Sequence, residues 1–273
     1  MLGKLIFFDV DGTLVQFDGT MPASTGEALK RARENGHRLV ICTGRSKSQI
    51  YPWLLELPFD GIVAAAGAYV EWQGQCISHE TVSAKALRQF VQFFEKERIP
   101  YCLQTTQNTI ATAENAGRIL RMFAEKFAVS EEQVMQVFGG MMVEEEPERH
   151  TDIEKMIYYA SPYPVSEVRT YLAPWFDVTV TSFAHADESS GEVTLAGVTK
   201  SHGMKKLMEH VSYTQGDTIA FGDGFNDLDM LQFAGTGIAM GNAEEQIKHA
   251  ADKVAACVDE DGILLALTEM ALI

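Results

Sequence analysis

Short apolar runs that end at polar residues organise the first part of the chain. Residues 5–8 and most of residues 38–42 are apolar, which predicts two strands buried on both faces of a parallel sheet. Between them, residues 22–35 are predicted to form a helix, because the segment opens on proline and Gly36 follows it. This alternation of strand and helix predicts parallel strands joined by crossover helices.

The pattern changes near residue 68, where a hairpin and then an amphipathic helix replace the alternation. After a predicted strand at 62–65, residues 69–72 and 76–78 flank a turn and are expected to pair as a hairpin, and a helix is predicted from Ser83. The further predicted elements are strands at 101–105, 156–159 and 178–183, helices at 114–127, 129–135 and from Pro164, and loops at 144–148 and 186–191.

The strand–helix alternation then resumes to the end of the chain. Helices are predicted at 200–211 and 226–233, strands at 218–221 and 238–240, and two more helices after these. The predicted fold class is α/β, with a Rossmann-like parallel-sheet core. We expect this core to comprise residues 1–83 and 190–273, interrupted by a second α/β domain over residues 84–189.

Charge and composition exclude several classes of protein. The chain has 273 residues, and because 46% of them are hydrophobic, disorder is not expected. The formal net charge is −16, whereas a general binder of nucleic acids or anionic membranes needs a basic surface. Its four cysteines form no CxxC pair and predict no disulfide framework. No apolar run reaches the roughly 18 residues of a membrane span, and the first residues do not resemble a signal peptide, so a cytoplasmic location is expected.

Candidate chemistry follows the first two predicted strands. Asp9 and Asp11 come where the first strand ends, and their like charges would repel unless a cation or a shared proton intervened. An ordinary polar turn would also explain them, but an EF-hand loop would not, since its glycine and closing glutamate stand elsewhere. After the second strand, Thr43 and Gly44 precede a helical stretch, which fits either an anion site or a plain helix cap.

Two further polar groups lie near the C-terminus. Lys200 begins a predicted helix, where a lysine opposes the helix dipole unless an anion lies close by. Asp223, Asn226 and Asp227 follow the strand at 218–221 among glycines, although the last two could also serve as helix-capping residues.

Together these groups predict one site at one edge of the sheet. In an open α/β sheet, ligands bind outside the carboxyl ends of the strands, where all four groups are expected. Acids, a hydroxyl, an amine and free backbone N–H groups are the set required for phosphoryl transfer to a carboxylate nucleophile.

The ordered motifs strongly resemble those of the haloacid dehalogenase superfamily. They are Asp9-x-Asp11-Gly12-Thr13, Thr43-Gly44-Arg45, Lys200 and Gly222-Asp223-Gly224-x-Asn226-Asp227. The stretch Ile238-Ala239-Met240-Gly241-Asn242-Ala243 resembles the Cof-type branch of that superfamily. The insert between the second and third motifs corresponds to the α/β cap of such relatives. Where relatives usually carry an Asn-Gly pair after the third strand, this chain has Ala65-Ala66-Gly67-Ala68.

The resemblance implies catalytic roles for individual residues. Asp9 would be the nucleophile that forms an aspartyl-phosphate, and Asp11 the acid for the leaving alcohol and then the base for water. Thr43 and Gly44 would hold phosphoryl oxygens, and Lys200 would balance charge at Asp9 and the phosphate.

It also implies a cofactor, a substrate class and partners. Mg²⁺ would be bound by Asp9, the backbone carbonyl of Asp11 and Asp223, with Asp227 supporting these ligands from behind and Asn226 contacting phosphate or substrate. The expected activity is a phosphatase for small phosphorylated metabolites, either sugar phosphates or cofactor-like esters, in a monomer or homodimer without nucleic-acid or membrane partners. A phosphomutase with the same chemistry, or a non-catalytic sensor of such metabolites, is the alternative.

Overall fold

A computed structural model describes residues 3–16, 18–137, 140–181 and 189–273. Its strands are β1 Leu5–Phe8, β2 Arg38–Cys42, β3 Gly61–Ala64, β4 Tyr69–Trp72, β5 Gln75–His79, β6 Tyr101–Gln104, β7 Thr109–Ala111, β8 Met142–Val143, β9 Lys155–Tyr158, β10 Phe176–Val180, β11 Gly191–Leu195, β12 Thr218–Gly222, β13 Thr236–Ala239 and β14 Lys253–Val254. Its α-helices are α1 Ala23–Glu34, α2 Pro52–Leu55, α3 Ala84–Lys96, α4 Ala113–Phe127, α5 Glu131–Val137, α6 Val165–Leu172, α7 Lys200–Val211, α8 Leu228–Phe233, α9 Glu245–Ala250 and α10 Gly262–Glu269.

The chain divides into two compact units. The first comprises Met1–Gly44, Tyr51–Ser78 and Thr199–Ile273, and the second comprises Arg45–Ile50 and His79–Val198. The main segment of the second unit therefore extends beyond the predicted insert at 84–189 at both ends, and residues 45–50 join this unit as well.

The first unit contains an eight-stranded sheet in the order β14-β13-β12-β1-β2-β3-β4-β5. The strands from β14 to β3 are parallel, and β4 joins β3 in antiparallel register. This is the α/β parallel-sheet core predicted from the apolar runs. Because β12, β1 and β2 are adjacent and parallel, their carboxyl ends meet at one edge of the sheet.

Apolar side chains cover both faces of this sheet. Phe7 packs with Leu207 of α7 in one hydrophobic cluster, whereas the next residue, Phe8, stacks on Phe221 with ring centroids 5.2 Å apart. Alternate residues of a strand point to opposite faces, so a strand covered on both sides is apolar at every position. The continuous run at residues 5–8 has this cause.

The second unit contains a six-stranded sheet in the order β10-β11-β9-β6-β7-β8. Its neighbours are antiparallel except for β7 and β8. One hydrophobic cluster joins the sheet to α3 and α6, and another joins it to α4 and α5. Four of the aromatic residues of this unit are buried in its core, Tyr101, Phe123, Tyr158 and Tyr159, whereas Trp175 is exposed.

Several elements of this unit differ from the prediction. The strands β7, β8 and β11 were not predicted, and the strand expected at 178–183 begins at Phe176 and ends at Val180. Since β11 pairs with both β9 and β10, residues 191–195 belong to the second sheet, which explains why this unit extends to Val198. Residues 186–188 of the loop predicted at 186–191 lie outside the described residues, and Gly191 begins β11.

No described helix combines the length and the apolar composition that crossing a membrane would require.

Candidate active site

A tight backbone loop places Asp9 and Asp11 at the end of β1. The Asp9 N–H donates to the Phe221 carbonyl at 2.9 Å, which extends the β1–β12 ladder by one residue. The chain then folds back, with the Gly12 N–H donating to the Val15 carbonyl at 2.7 Å. Gly12 has a φ of +84°, a conformation that side-chain-bearing residues rarely adopt. The glycine of the Asp-x-Asp-Gly motif is therefore required by the backbone conformation of this loop, in addition to any chemical role of the two aspartates.

Lys200 supplies the positive charge of the site from the first residue of α7. Its Nζ donates to Asp9 Oδ1 at 2.5 Å and also to Asp227 Oδ1, and only 1% of its surface is exposed. The Thr199 side chain caps this helix by accepting from the His202 N–H at 3.4 Å. The two carboxylates explain how a lysine is stable at the positive end of a helix dipole.

Asp223 and Asp227 enter from the loop after β12. Asp227 is fully buried, and its Oδ2 accepts from the backbone N–H groups of Asp223 at 3.0 Å and Gly224 at 2.8 Å. Asp223 accepts through Oδ1 from the Thr13 hydroxyl at 2.9 Å. With Lys200 on its other oxygen, Asp227 receives three donors and acts as a support for both neighbours.

These side chains form a cluster of hard oxygen ligands. One carboxylate oxygen each of Asp9, Asp223 and Asp227 lie within 4.8 Å of one another. Three carboxylates face a single ammonium, Lys200, so the cluster carries an excess of negative charge that a divalent cation would offset. Carboxylate oxygens are the ligands that Mg²⁺ prefers in proteins, and the residues therefore fit that ion.

The electrostatics of the cluster show the same imbalance. Burial and the charge of Asp227 raise the pKa of Asp9 well above its usual value, and Lys200 offsets only part of the rise. Burial, followed by the charge of Asp227, raises the pKa of Asp223 to about 7. Burial alone would lower the pKa of Lys200, but Asp227 and Asp9 outweigh it and hold that pKa well above its usual value. The raised pKa values of Asp9 and Asp223 thus indicate that both carboxylates would be stabilised by an added positive charge.

The other predicted site residues lie at the same sheet edge, with different environments. Asp11 is partly exposed, and its charge contributes to the raised pKa values of both Asp9 and Asp223. Thr43 is buried directly after β2, where its N–H donates to the Val63 carbonyl at 2.8 Å. Asn226 is exposed in the turn between the two loop acids.

The segment that replaces the usual Asn-Gly pair lies against these residues. Ala65 and Ala66 have positive φ values of 48° and 54°, and the Ala66 N–H donates to the Thr43 carbonyl at 3.1 Å. Gly67 follows with a φ of +106°, and a Cβ there would lie 1.9 Å from the Thr199 carbonyl oxygen. This turn therefore contacts both the residue after β2 and the cap residue of α7.

Sequence reasoning missed two polar residues of the site. Asn242 donates to the Gly12 carbonyl at 2.9 Å and to Asp223 Oδ2 at 3.3 Å. Asp229 accepts from the Ser201 N–H at 2.9 Å through its Oδ2. Asn242 lies in the stretch quoted for the Cof-type branch, which was the available signal, and Asp229 follows the last motif by two residues.

The fold and the site together define a class of enzyme. Residues 6–267 match the family described as haloacid dehalogenase-like hydrolase, and the chain belongs to that family, as its motifs indicated. It is a phosphoric monoester hydrolase that acts on small phosphate substrates.

Individual relatives are similar over their whole length. YkrA of Bacillus subtilis (strain 168) is 31% identical, with all of both chains covered. The 5-amino-6-(5-phospho-D-ribitylamino)uracil phosphatase YitU of the same strain is 28% identical over 97% of this chain and 96% of its own. The solved structure of the sugar phosphatase BT4131, of subclass IIB, is 30% identical with a TM-score of 0.80, covering 99% of this chain and 100% of that one.

Proposed function

We propose that this protein is a Mg²⁺-dependent phosphatase that hydrolyses sugar phosphates or cofactor-like phosphate esters through an aspartyl-phosphate. One observation carries the proposal. A buried ammonium contacts Asp9, and the carboxylates of Asp9, Asp223 and Asp227 lie within 4.8 Å of one another at the end of β1. Separation of Asp9 and Asp223 by more than about 10 Å would have prevented one ion from joining them.

The side chains of this chain account for both halves of the reaction. In the first, Asp9 attacks phosphorus, the ester P–O bond breaks, and Asp11 gives its proton to the leaving alcohol. In the second, Asp11 takes a proton from water, and the water oxygen displaces Asp9 from phosphorus to release inorganic phosphate. Asp9 and Asp11 then regain their starting protonation states, so the cycle is balanced.

The remaining site residues hold charge and position. Lys200 keeps the reacting oxygen of Asp9 oriented and offsets its charge, and Asp227 fixes the ammonium from the opposite side. Thr43 offers its hydroxyl and Gly44 its backbone N–H to phosphoryl oxygens, and Asn226 offers an exposed amide.

Asp9, Asp223 and the Asp11 carbonyl would hold the Mg²⁺ ion, with Asp227 supporting them. When bound, the ion would neutralise phosphoryl oxygens and lower the pKa values that the carboxylate cluster raises. The excess negative charge of the cluster supports this assignment.

The names of two relatives support the substrate class. YitU is named for a ribityl phosphate and BT4131 for sugar phosphates, so both act on phosphorylated polyhydroxyl compounds. We expect residues 84–189 to set the choice of ester. Within them, Gln104 is buried with its Nε2 unpartnered among the described residues, and the neighbouring Lys155 pairs with Glu192 at 2.5 Å.

The test is phosphate release from a panel of phosphate esters with and without Mg²⁺. Asp9→Asn should lower kcat by more than about 10³-fold, since a nucleophile cannot be replaced by its neighbours. Asp18→Asn, which alters an exposed aspartate of the same loop region, should retain wild-type activity. Activity of Asp9→Asn near the wild-type level would refute the nucleophile, and an isomeric ester in place of inorganic phosphate would refute hydrolysis.

A further inference from the structure

The Asn242 side chain connects three backbone segments around Asp223. Its Nδ2 donates to the Gly12 carbonyl at 2.9 Å and to Asp223 Oδ2 at 3.3 Å, and its Oδ1 accepts from the Val258 N–H at 3.0 Å. Gly12 belongs to the loop that carries Asp9 and Asp11, so one amide joins that loop to Asp223 and to the C-terminal part of the first unit.

These partners determine which way the amide points. The Val258 N–H can only donate, and the Gly12 carbonyl can only accept, so exchanging the oxygen and nitrogen of Asn242 would break both bonds. An amide nitrogen has two hydrogens, and each has a partner here. Aspartate has the same shape but no donor, and it could not replace this group.

The backbone that carries Asn242 is closely packed. The Gly241 N–H donates to the Ala256 carbonyl at 3.1 Å, and a Cβ at Gly241 would lie 2.6 Å from the Cys257 nitrogen. The Ala255 N–H donates to the Ala239 carbonyl at 2.8 Å. The amide is therefore presented from a fixed position, although the side chain itself is exposed.

The Asp223 carboxylate is held by one bond on each oxygen. Thr13 donates to Oδ1 and Asn242 donates to Oδ2. The Gly12 backbone lies directly beside the carboxylate, since a Cβ there would be 2.2 Å from Oδ2. With both donors in place, rotation of the carboxylate would break at least one hydrogen bond.

We propose that Asn242 is a positioning residue that orients the Asp223 carboxylate for the divalent cation. The inference rests on the metal assignment of the proposed function. Groups that hydrogen-bond a metal ligand typically change metal affinity or activity by about 10- to 100-fold when they are removed. Asn242 has this relation to Asp223 and also fixes the loop of the nucleophile.

The test measures Mg²⁺ affinity directly, by isothermal titration calorimetry of the full chain without substrate. Asn242→Ala should weaken Mg²⁺ binding by about 10- to 100-fold. Asn35→Ala is the matched control: Asn35 is also exposed and also donates to a backbone carbonyl, that of Leu272, but it precedes β2 at the opposite sheet edge. Its Mg²⁺ affinity should equal that of the wild type.

A second readout separates positioning from general damage. For Asn242→Ala, the Mg²⁺ concentration that gives half-maximal activity should rise by the same factor as the Kd, and saturating Mg²⁺ should restore kcat to within about threefold. Should that variant fold poorly, Asn242→Ser keeps a small polar side chain but lacks Nδ2, and the same loss of affinity is expected. If the folded variants bind Mg²⁺ as tightly as the wild type, the role of Asn242 is refuted and the metal assignment stands. If the wild type itself binds no Mg²⁺, both the role of Asn242 and the metal assignment are refuted.

Discussion

Replacing Lys200 by methionine would test the charge balance of the site. Methionine has a similar length and no charge, so Lys200→Met preserves much of the packing and removes the ammonium. In the wild type, this group donates to Asp9 at 2.5 Å and to Asp227, and all three side chains are almost fully buried. The variant would leave buried carboxylates without their cationic partner.

The expected loss of stability follows from that burial. Removing one partner of a buried ion pair typically costs about 3–5 kcal/mol, because the remaining charge stays desolvated. The cost should depend on pH: without Lys200 the pKa of Asp9 is raised further above its unfolded value, so the folded variant binds protons more tightly than the unfolded chain. The contribution of Asp9 to the stability of the variant is therefore fully present in acid and is lost as the pH rises through the folded pKa.

Urea unfolding followed by circular dichroism at pH 5 and pH 8 provides the assay. We expect the deficit of Lys200→Met relative to wild type to be about 3–5 kcal/mol at pH 8 and smaller at pH 5. Lys30→Met is the control, since Lys30 is 73% exposed and its pairing with Glu34 at 3.9 Å should contribute less than about 0.5 kcal/mol. Equal deficits for the two variants, or a larger Lys200→Met deficit at pH 5, would refute the reasoning.

Three other predictions concern the same unit. Without divalent cations, the pKa of Asp223 at about 7 lies above its unfolded value, so its contribution to the free energy of unfolding should fall between about pH 4 and pH 7. Excess Mg²⁺ should reduce this dependence of the free energy of unfolding on pH, as measured by urea titrations. The same pH dependence with and without Mg²⁺ would contradict the prediction. Ala66→Gly should raise the free energy of unfolding by about 1 kcal/mol, because Ala66 has a φ of +54°. Ala68→Gly should lower it, because Ala68 has a φ of −69°. A change of the same sign in both variants would contradict the turn geometry. Asp229→Ala should lower stability by about 1 kcal/mol by removing the acceptor of the Ser201 N–H, and Asp229→Asn should recover most of it; equal unfolding midpoints for the two variants would argue otherwise.

The core and most of its site could be predicted from the sequence because their determinants are local. The predicted strand at 5–8 and the predicted helix at 200–211 have the bounds observed for β1 and α7. A strand buried on both faces must be apolar throughout, and the polar residue that ends it must lie at the sheet edge. The convergence of Asp9 and Asp223 then follows from the parallel order of β1 and β12, whereas Lys200 enters the site from the first residue of α7.

Two of the missed strands are too short to show a pattern, and the third has the alternation of a half-buried strand, which the prediction overlooked. β7 and β8 have three and two residues, and β11, Gly191–Leu195, alternates apolar with polar residues and follows a polar loop. They are strands because β7 pairs with β6, β8 pairs with β7, and β11 pairs with β9. Segment 45–50 was likewise unpredictable: it joins the second unit through bonds such as that from the Ser46 hydroxyl to Gln104 Oε1 at 3.2 Å.

Asn242 was missed for a related reason. An asparagine after a short strand is common in turns, where it needs no distant partner. Its role depends on Gly12, 230 positions earlier in the chain, and no local pattern reports that contact. A sequence therefore predicts which groups can perform chemistry more readily than which groups hold them in place.

The environments of the three acids show how one cluster can divide its tasks. Asp227 receives two backbone N–H groups and an ammonium, so its charge is met by the protein itself. Asp9 receives only the ammonium among the side-chain bonds described here, and Asp223 receives a hydroxyl and an amide, which are neutral donors. Neutral donors orient a carboxylate without cancelling its charge. Asp223 is therefore oriented by neutral groups that leave its charge available to a cation, whereas Asp9 shares the Lys200 ammonium with Asp227. The bonds of Asp227 favour the supporting position that we propose for it.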